Sequence, residues 1–183
     1  RGWAMVNAGA DILDIGGEST RPGAQAISTS EELDRIIPVI EGLRKASVAI
    51  SVDTQHAEVM DAAIKAGAHI INDVTSLTGG SKSLEVAAGL GCSVVLMHMQ
   101  GNPGTMQNEP KYDDAPREVS DYLLGRIDAC KLAGIDQSQI AIDPGIGFGK
   151  TVQHNLQILS QIDRLHDHGC PIVLGVSRKS FIG

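Results

Sequence analysis

The sequence predicts an α/β fold, a (β/α)8 barrel truncated to about six of its eight βα units, on three observations. Short apolar runs alternate with amphipathic helical patterns over the whole of the 183-residue chain, which is the alternation of a parallel sheet with helical crossovers. Most runs are apolar at successive positions and rich in β-branched residues, as in strands buried on both faces. Nearly every run also passes at its C-terminal end straight into polar or charged residues.

The runs are residues 12–15, 48–52, 70–71, 94–97, 140–142 and 172–176. Between them, Leu33, Ile36, Ile37, Ile40 and Leu43 recur at helical spacing after Ser28-Thr29-Ser30-Glu31, which reads as a capping box. Val59, Ala62, Ala63 and Ala66 form a second stripe, stopped by Gly67. A weaker helix over residues 82–90 ends at Gly91. Val119, Leu123, Ile127 and Cys130 form another stripe, ended by Gly134, and Leu156, Leu159, Ile162 and Leu165 form the last, ended before Gly169. No linker divides residues 1–183, and the long connection 100–115 reads as a functional loop.

An open doubly wound sheet gathers its ligand at one switch point, whereas a barrel builds its site from every strand's C-terminal end. Here the runs lead into Asp53-Thr54, Asn72-Asp73, His98, Asp143-Pro144 and Ser177-Arg178-Lys179, and the first leads through Gly16-Gly17 into Glu18-Ser19-Thr20-Arg21. Chemistry at all six ends favours the barrel, with two strands missing.

Composition sets outer limits. A net charge of −7 argues against a nucleic-acid surface, so an anionic substrate has to meet a local cluster of cations. No apolar run approaches the roughly 20 residues of a membrane span, and the first residues do not read as a signal peptide. Cys92, Cys130 and Cys170 are widely spaced and form no CxxC, which suits buried thiols in a reducing cytoplasm.

Asp53, Asn72 and Asp143 close three different runs. A carboxylate there accepts two parallel hydrogen bonds from an N–C–NH2 edge such as an aminopyrimidinone presents; the competing role is capping of the next helix, which is the one expected of Asp73. Thr20 and Arg21 set a hydroxyl beside a guanidinium, a pair suited to phosphate oxygens or to an ordinary solvated turn. Residues 143–151 imitate a phosphate loop, but Pro144 occupies its first glycine; the glycines are expected instead to bring the loop close to a ligand, with Phe148 as a ring wall. Lys179 is a point charge for a carbonyl or ring nitrogen, and Ser177 and Ser180 offer hydroxyls to a small anion. Met97 and Met99 provide adaptable apolar surface, and His98 reads as a structural residue. The histidines and cysteines show no linear zinc-binding spacing, so no protein-held metal site is expected.

The segments ILDIGGESTRPG (12–23), ISVDT (50–54), GAHIINDV (67–74), LMHMQGNPGTMQ (96–107), KYDD (111–114), DPGIGFGK (143–150) and GVSRKSFIG (175–183) resemble the dihydropteroate synthase family, in its order and spacing. The resemblance implies a (β/α)8 barrel, a usually homodimeric enzyme, and condensation of a pterin pyrophosphate with p-aminobenzoate in folate synthesis. It places Asp53, Asn72, Asp143 and Lys179 around the pterin, with Val74, Met97, Phe148 and Gly175 as walls. Thr20 and Arg21 would stand near the pyrophosphate and the p-aminobenzoate, and Ser180 beside the aminobenzoate carboxylate. Asp53, Asp143, Lys179 and Arg21 would carry the chemistry, with Mg2+ acting through the substrate pyrophosphate. The family's Mg2+-holding Asn is expected upstream of Arg1, and its eighth strand, with an Arg-x-His anion site, downstream of Gly183. A barrel without its first and last strands has exposed edges, so the segment alone is expected to be poorly stable and nearly inactive. Two other functions fit parts of the pattern: the methyltetrahydrofolate-binding barrel of corrinoid methyltransferases, and a non-catalytic pterin-binding fragment.

Overall fold

Glycines and short polar side chains set several of the helix boundaries in the fold. The computed structural model describes residues 1–21, 23, 25–102, 104–106, 109–177 and 179. In chain order the elements are α1 (Gly2–Asn7), β1 (Ile12–Gly16), α2 (Thr29–Leu43), β2 (Ala49–Asp53), α3 (Ala57–Ala66), β3 (Ile70–Asp73), α4 (Ser83–Leu90), β4 (Ser93–Met97), α5 (Ala115–Leu132), β5 (Ile140–Asp143) and α6 (Val152–Ser160), with 3-10 turns at Gln137–Gln139 and Ile162–His168. The Ser28 hydroxyl accepts from Glu31 N–H at the start of α2. Only half of the expected box forms, because the Glu31 carboxylate turns outward to Arg35. Gly67 closes α3 at φ +122° and Gly91 closes α4 at φ +63°, conformations that favour glycine.

All strands are parallel and lie in the order β1-β2-β3-β4-β5. A doubly wound sheet reverses its strand order at a switch point; this one never does among the described residues, so the chain folds as consecutive units of a (β/α)8 barrel. The outer face of the sheet is the core. Leu13, Ile50, Val52, Ile71, Val94, Leu96, Ile140 and Ile142 are at most 3% exposed and join one apolar cluster with Ile36 and Ile40 of α2, Met60 of α3, and Leu123 and Ile127 of α5.

The inner face corrects the expectation of strands apolar on both sides. Register pairs Asp14 with Ser51 and Ser51 with Ile70, then Gly16 with Asp53, Asp53 with Asn72 and Asn72 with Val95. Paired residues of parallel strands share a face, so Asp14, Ser51, Asp53 and Asn72 all project inward. The runs looked continuous because small or aliphatic residues are interspersed with these polar ones.

The sixth run differs as well. Only Ile172 bridges β5, through Ile142 N–H to the Pro171 carbonyl and Val173 N–H to the Ile142 carbonyl. The next rung would need an N–H from residue 144, and Pro144 has none. Val173, Leu174 and Val176 are 39–42% exposed. The last helical stripe is also displaced. α6 ends at Ser160, Leu156 is exposed, and Asn155 and Ile158 are the buried residues. Asn155 is drawn inward because its Oδ1 accepts from Gly147 N–H and its Nδ2 donates to the Thr151 carbonyl. Among the described residues no helix is long and apolar enough to cross a membrane.

Ile71 lies on the central strand and is fully buried. Ile71→Ala is expected to lower unfolding free energy by about 2–5 kcal/mol, read from urea denaturation.

Candidate active site

The alternation that buries Ile71 and Val52 turns their neighbours Asn72 and Asp53 inward, where they stand side by side on adjacent strands. Asn72 Nδ2 donates to Asp14 Oδ2 at 3.1 Å, so β1 contributes a carboxylate that the sequence did not single out. Its signal was there in the single charged residue within an apolar run. Gly16, opposite Asp53, leaves space: a Cβ there would lie 3.5 Å from Asp53 Oδ2.

Asp143 ends β5 beside Met97 in register, one rung beyond the Asn72–Val95 level. Its Oδ1 accepts from Gly145 N–H at 2.7 Å. A Cβ on Gly175 would stand 4.0 Å from its Oδ2, which puts Gly175 at the same place on the mouth. Lys179 holds its ammonium 4.5 Å from the centroid of the Phe148 ring, a cation–π contact. Thr20 lines a small cavity with Glu18, Glu32, Asp53, Thr54, Gln55 and Val74. The sheet therefore brings together Asp53, Asn72, Val74, Thr20 and, across the mouth, Met97, Asp143, Phe148, Gly175 and Lys179. Arg21 is exposed, its backbone N–H donating to Ser19 Oγ at 3.4 Å, and stands outside that cavity. Ser177 is exposed, and Ser180 lies outside the described residues.

Asp73 points the other way, as expected, and caps a turn. It is fully buried and accepts from Thr75 N–H and Oγ1 at 2.7 Å and from Leu77 N–H at 3.0 Å. The turn carries Ser76 and Leu77 at φ +55° and +62°, a left-handed pair without glycine. Ser76 Oγ donates to the Met97 carbonyl and Arg126 Nε to the Ser76 carbonyl, which locks β3 to β4 beneath the mouth.

The glycine-rich loop 143–151 packs closely on the backbone that follows β4. Gly145 (φ +66°) and Gly149 (φ +59°) lie against backbone, so that a Cβ on either would collide with the carbonyl oxygen of His98 or Gln100. Only Gly147 borders a site residue, Lys179. The loop is fastened by Lys150, whose buried ammonium donates to the carbonyls of Gly145, Phe148 and His98 and meets His98 Nδ1 at 2.9 Å. Burial brings the Lys150 ammonium down to about 7, and burial with the neighbouring Lys150 charge brings His98 down to about 3. His98 is thus a neutral acceptor and a structural residue, as its sequence context suggested.

The site carboxyls are shifted upward. Burial, followed by the charges of Asp14, Asp73, Glu32 and Glu18, raises Asp53 to about 7. Burial raises Asp143 to about 6 against the Gly145 hydrogen bond and the Lys150 and Lys179 charges. Burial lowers Lys179, with Asp143 opposing. A pair of carboxyls with raised proton affinity next to a partly buried ammonium can accept from a flat heterocycle and hold a proton close to neutrality.

The sequence profile described as pterin binding enzyme matches residues 1–183. The chain belongs to this family. It is 51% identical to the dihydropteroate synthase of Escherichia coli (strain K12) over 180 residues, covering 98% of this chain and 64% of that protein. The fold superposes on Xanthomonas albilineans dihydropteroate synthase with 4-aminobenzoic acid at a TM-score of 0.93 and 49% identity, and on the Yersinia pestis dihydropteroate synthase in a sulfonamide drug complex at 0.96 and 46%. Those matches cover all of this chain and 64% and 66% of the two relatives. The chain thus spans about two-thirds of the length of the family members it resembles.

The raised carboxyls fix a sign. A folded-state value above the usual carboxylate value means that folding favours the protonated form, so this contribution to stability declines as pH rises from about 4 to 7 and is constant above. Asp53→Asn should therefore be more stable to unfolding than the parent at pH 8, by on the order of 2 kcal/mol, and by much less at pH 5. Thermal unfolding at the two pH values measures the difference.

Proposed function

We propose that the protein is a dihydropteroate synthase, condensing 6-hydroxymethyl-7,8-dihydropterin pyrophosphate with p-aminobenzoate to give 7,8-dihydropteroate and pyrophosphate. The observation that carries this reading is the inner-face set Asp53, Asn72 and Asp143, faced by Lys179 over Phe148. On this reading the two carboxyls and the amide bind the N–C–NH2 edge of the pterin. Lys179 donates to its carbonyl and ring nitrogen, and Val74, Met97, Phe148 and Gly175 enclose the ring.

The reaction breaks the bond between the pterin methylene and a pyrophosphate oxygen, which leaves with the electron pair. The aminobenzoate nitrogen then forms the new C–N bond and loses a proton. Positive charge develops on the methylene carbon, and Asp53 and Asp143 stabilise it to the extent that they are ionised. Mg2+ carried by the substrate pyrophosphate would supply neutralisation of the leaving charge. Arg21, exposed on its loop, adds a bidentate fork to that anion, with the Thr20 hydroxyl beside it. Ser177 and Ser180 serve the aminobenzoate carboxylate.

The same reading takes the enzyme as cytoplasmic and homodimeric at full length, with neither nucleic acid nor membrane as a partner. The free thiols of Cys92, Cys130 and Cys170 support the first of these, and the net charge of −7 supports the absence of nucleic acid. By itself the 183-residue chain would turn over slowly, because Ile12 on one edge strand and Val173, Leu174 and Val176 at the other edge stand in solvent.

The test is p-aminobenzoate binding by calorimetry, with and without pyrophosphate, together with pyrophosphate release by the full-length enzyme. Pyrophosphate-dependent binding supports the synthase; binding of methyltetrahydrofolate alone would favour the corrinoid-methyltransferase type of barrel. Asp143→Asn and Lys179→Ala should each lower kcat/KM by about 100-fold or more, a loss of roughly 3 kcal/mol of transition-state stabilisation, with circular dichroism showing both variants to be folded.

A further inference from the structure

Behind the mouth, three residues from three different elements meet. Glu18 follows β1 in the loop that carries Thr20 and Arg21, Glu32 lies in the first turn of α2, and His56 is the N-cap residue of α3. One potential ligand atom from each lies within 4.8 Å of the other two. Glu32 is 1% exposed. Its Oε2 meets His56 Nδ1 at 2.7 Å, but its Oε1 is fully buried and has no hydrogen-bond partner. Glu18 is more lightly held, accepting from Ile27 N–H at 3.2 Å and Gln55 Nε2 at 3.3 Å. A buried carboxylate oxygen without a donor is costly unless a cation or proton compensates it.

The geometry points to a divalent transition-metal site formed by Glu18, Glu32 and His56. Two carboxylates and an imidazole suit Zn2+, Mn2+ or Co2+, whereas Mg2+ takes oxygen ligands and waters. The site is therefore separate in chemistry from the Mg2+ that accompanies pyrophosphate. Ligand bonds of about 2 Å set ligand atoms roughly 3 Å apart, so an ion would take the place of the His56–Glu32 hydrogen bond at 2.7 Å and Glu18 would move inward to complete the set. Glu18, the least constrained, can supply that movement, since it follows Gly16-Gly17. An ion here would tie Glu18 to α2 and α3 and so hold the loop that presents Thr20 and Arg21. It is a positioning site and touches no reacting atom. Linear spacing hides it, because the ligands are separated by 14 and 24 residues.

The experiment is titration of the chelator-treated full-length protein with Co2+, followed by its visible absorption, with the melting temperature and bound metal measured in parallel. One equivalent should bind with a spectrum characteristic of nitrogen and oxygen ligation and raise the melting temperature, and millimolar Mg2+ should not displace it. Glu18→Gln, at a partly exposed position, and His56→Ala should each weaken Co2+ binding by at least an order of magnitude, while circular dichroism shows both to be folded. Absence of saturable Co2+ uptake, or uptake equally strong in both variants (as binding at the partly exposed Cys92 would give), would overturn the proposal.

Discussion

Side chains along a strand point alternately to the two faces, and this alternation ties the rest of the structure together. The helices cover one face only. Once Leu13, Ile50, Val52, Ile71, Leu96 and Ile142 are buried beneath them, the register of the sheet leaves no freedom in what the opposite face presents. Asp14, Asp53, Asn72 and Asp143 face inward because of the residues beside them. A one-residue slip of β1, β2 or β5 would bury its inward carboxylate among the apolar residues of the core and expose its anchor. The polar mouth and the hydrophobic core are thus two consequences of one register, and core substitutions that loosen a strand should be felt at the site as well.

The inner face concentrates negative charge with little to offset it on the β1–β3 side. Asp53 is raised by Asp14, Asp73, Glu32 and Glu18 in addition to burial. Asp143, on the β5 side, has Lys150 and Lys179 as counterweights and is raised less. The two carboxyls consequently differ in acidity although they serve the same mouth. This concentration of negative charge conflicts with stability, because an uncharged residue at position 53 would relieve repulsion among five carboxylates. The surplus negative charge around Glu18 and Glu32 is the same feature that makes a cation there energetically reasonable.

Much of this was legible from the sequence, for identifiable reasons. The strand ends could be read because Asp53, Asn72 and Asp143 each interrupt an apolar run, and Asp73 could be assigned its structural role from alternation alone. Asp14 escaped attention because it lies inside its run, where a charged residue reads as an exception. Lys150 had no role to be read once Pro144 excluded a phosphate loop; its ammonium is consumed by the carbonyls of Gly145, Phe148 and His98, which only the folded loop brings together. The Glu18–Glu32–His56 cluster has no linear signature at all. The frayed sixth strand follows from Pro144, a residue visible in the sequence whose effect lies on a neighbouring strand.

Lys150 also explains how the loop after β5 can serve a site without contacting it along most of its length. Its hydrogen bonds to His98 and to the carbonyls of Gly145 and Phe148 fix the 143–150 loop against the end of β4, with Tyr112 Oη donating to the Gly149 carbonyl from the far side. The glycines at 145 and 149 permit that contact because no Cβ intervenes between the two backbones. What is held in place by this arrangement is the Phe148 ring, and with it the Lys179 ammonium that rests on its face. A buried lysine thereby sets the position of the partly buried Lys179, and its lowered proton affinity is a consequence of the burial that this task requires.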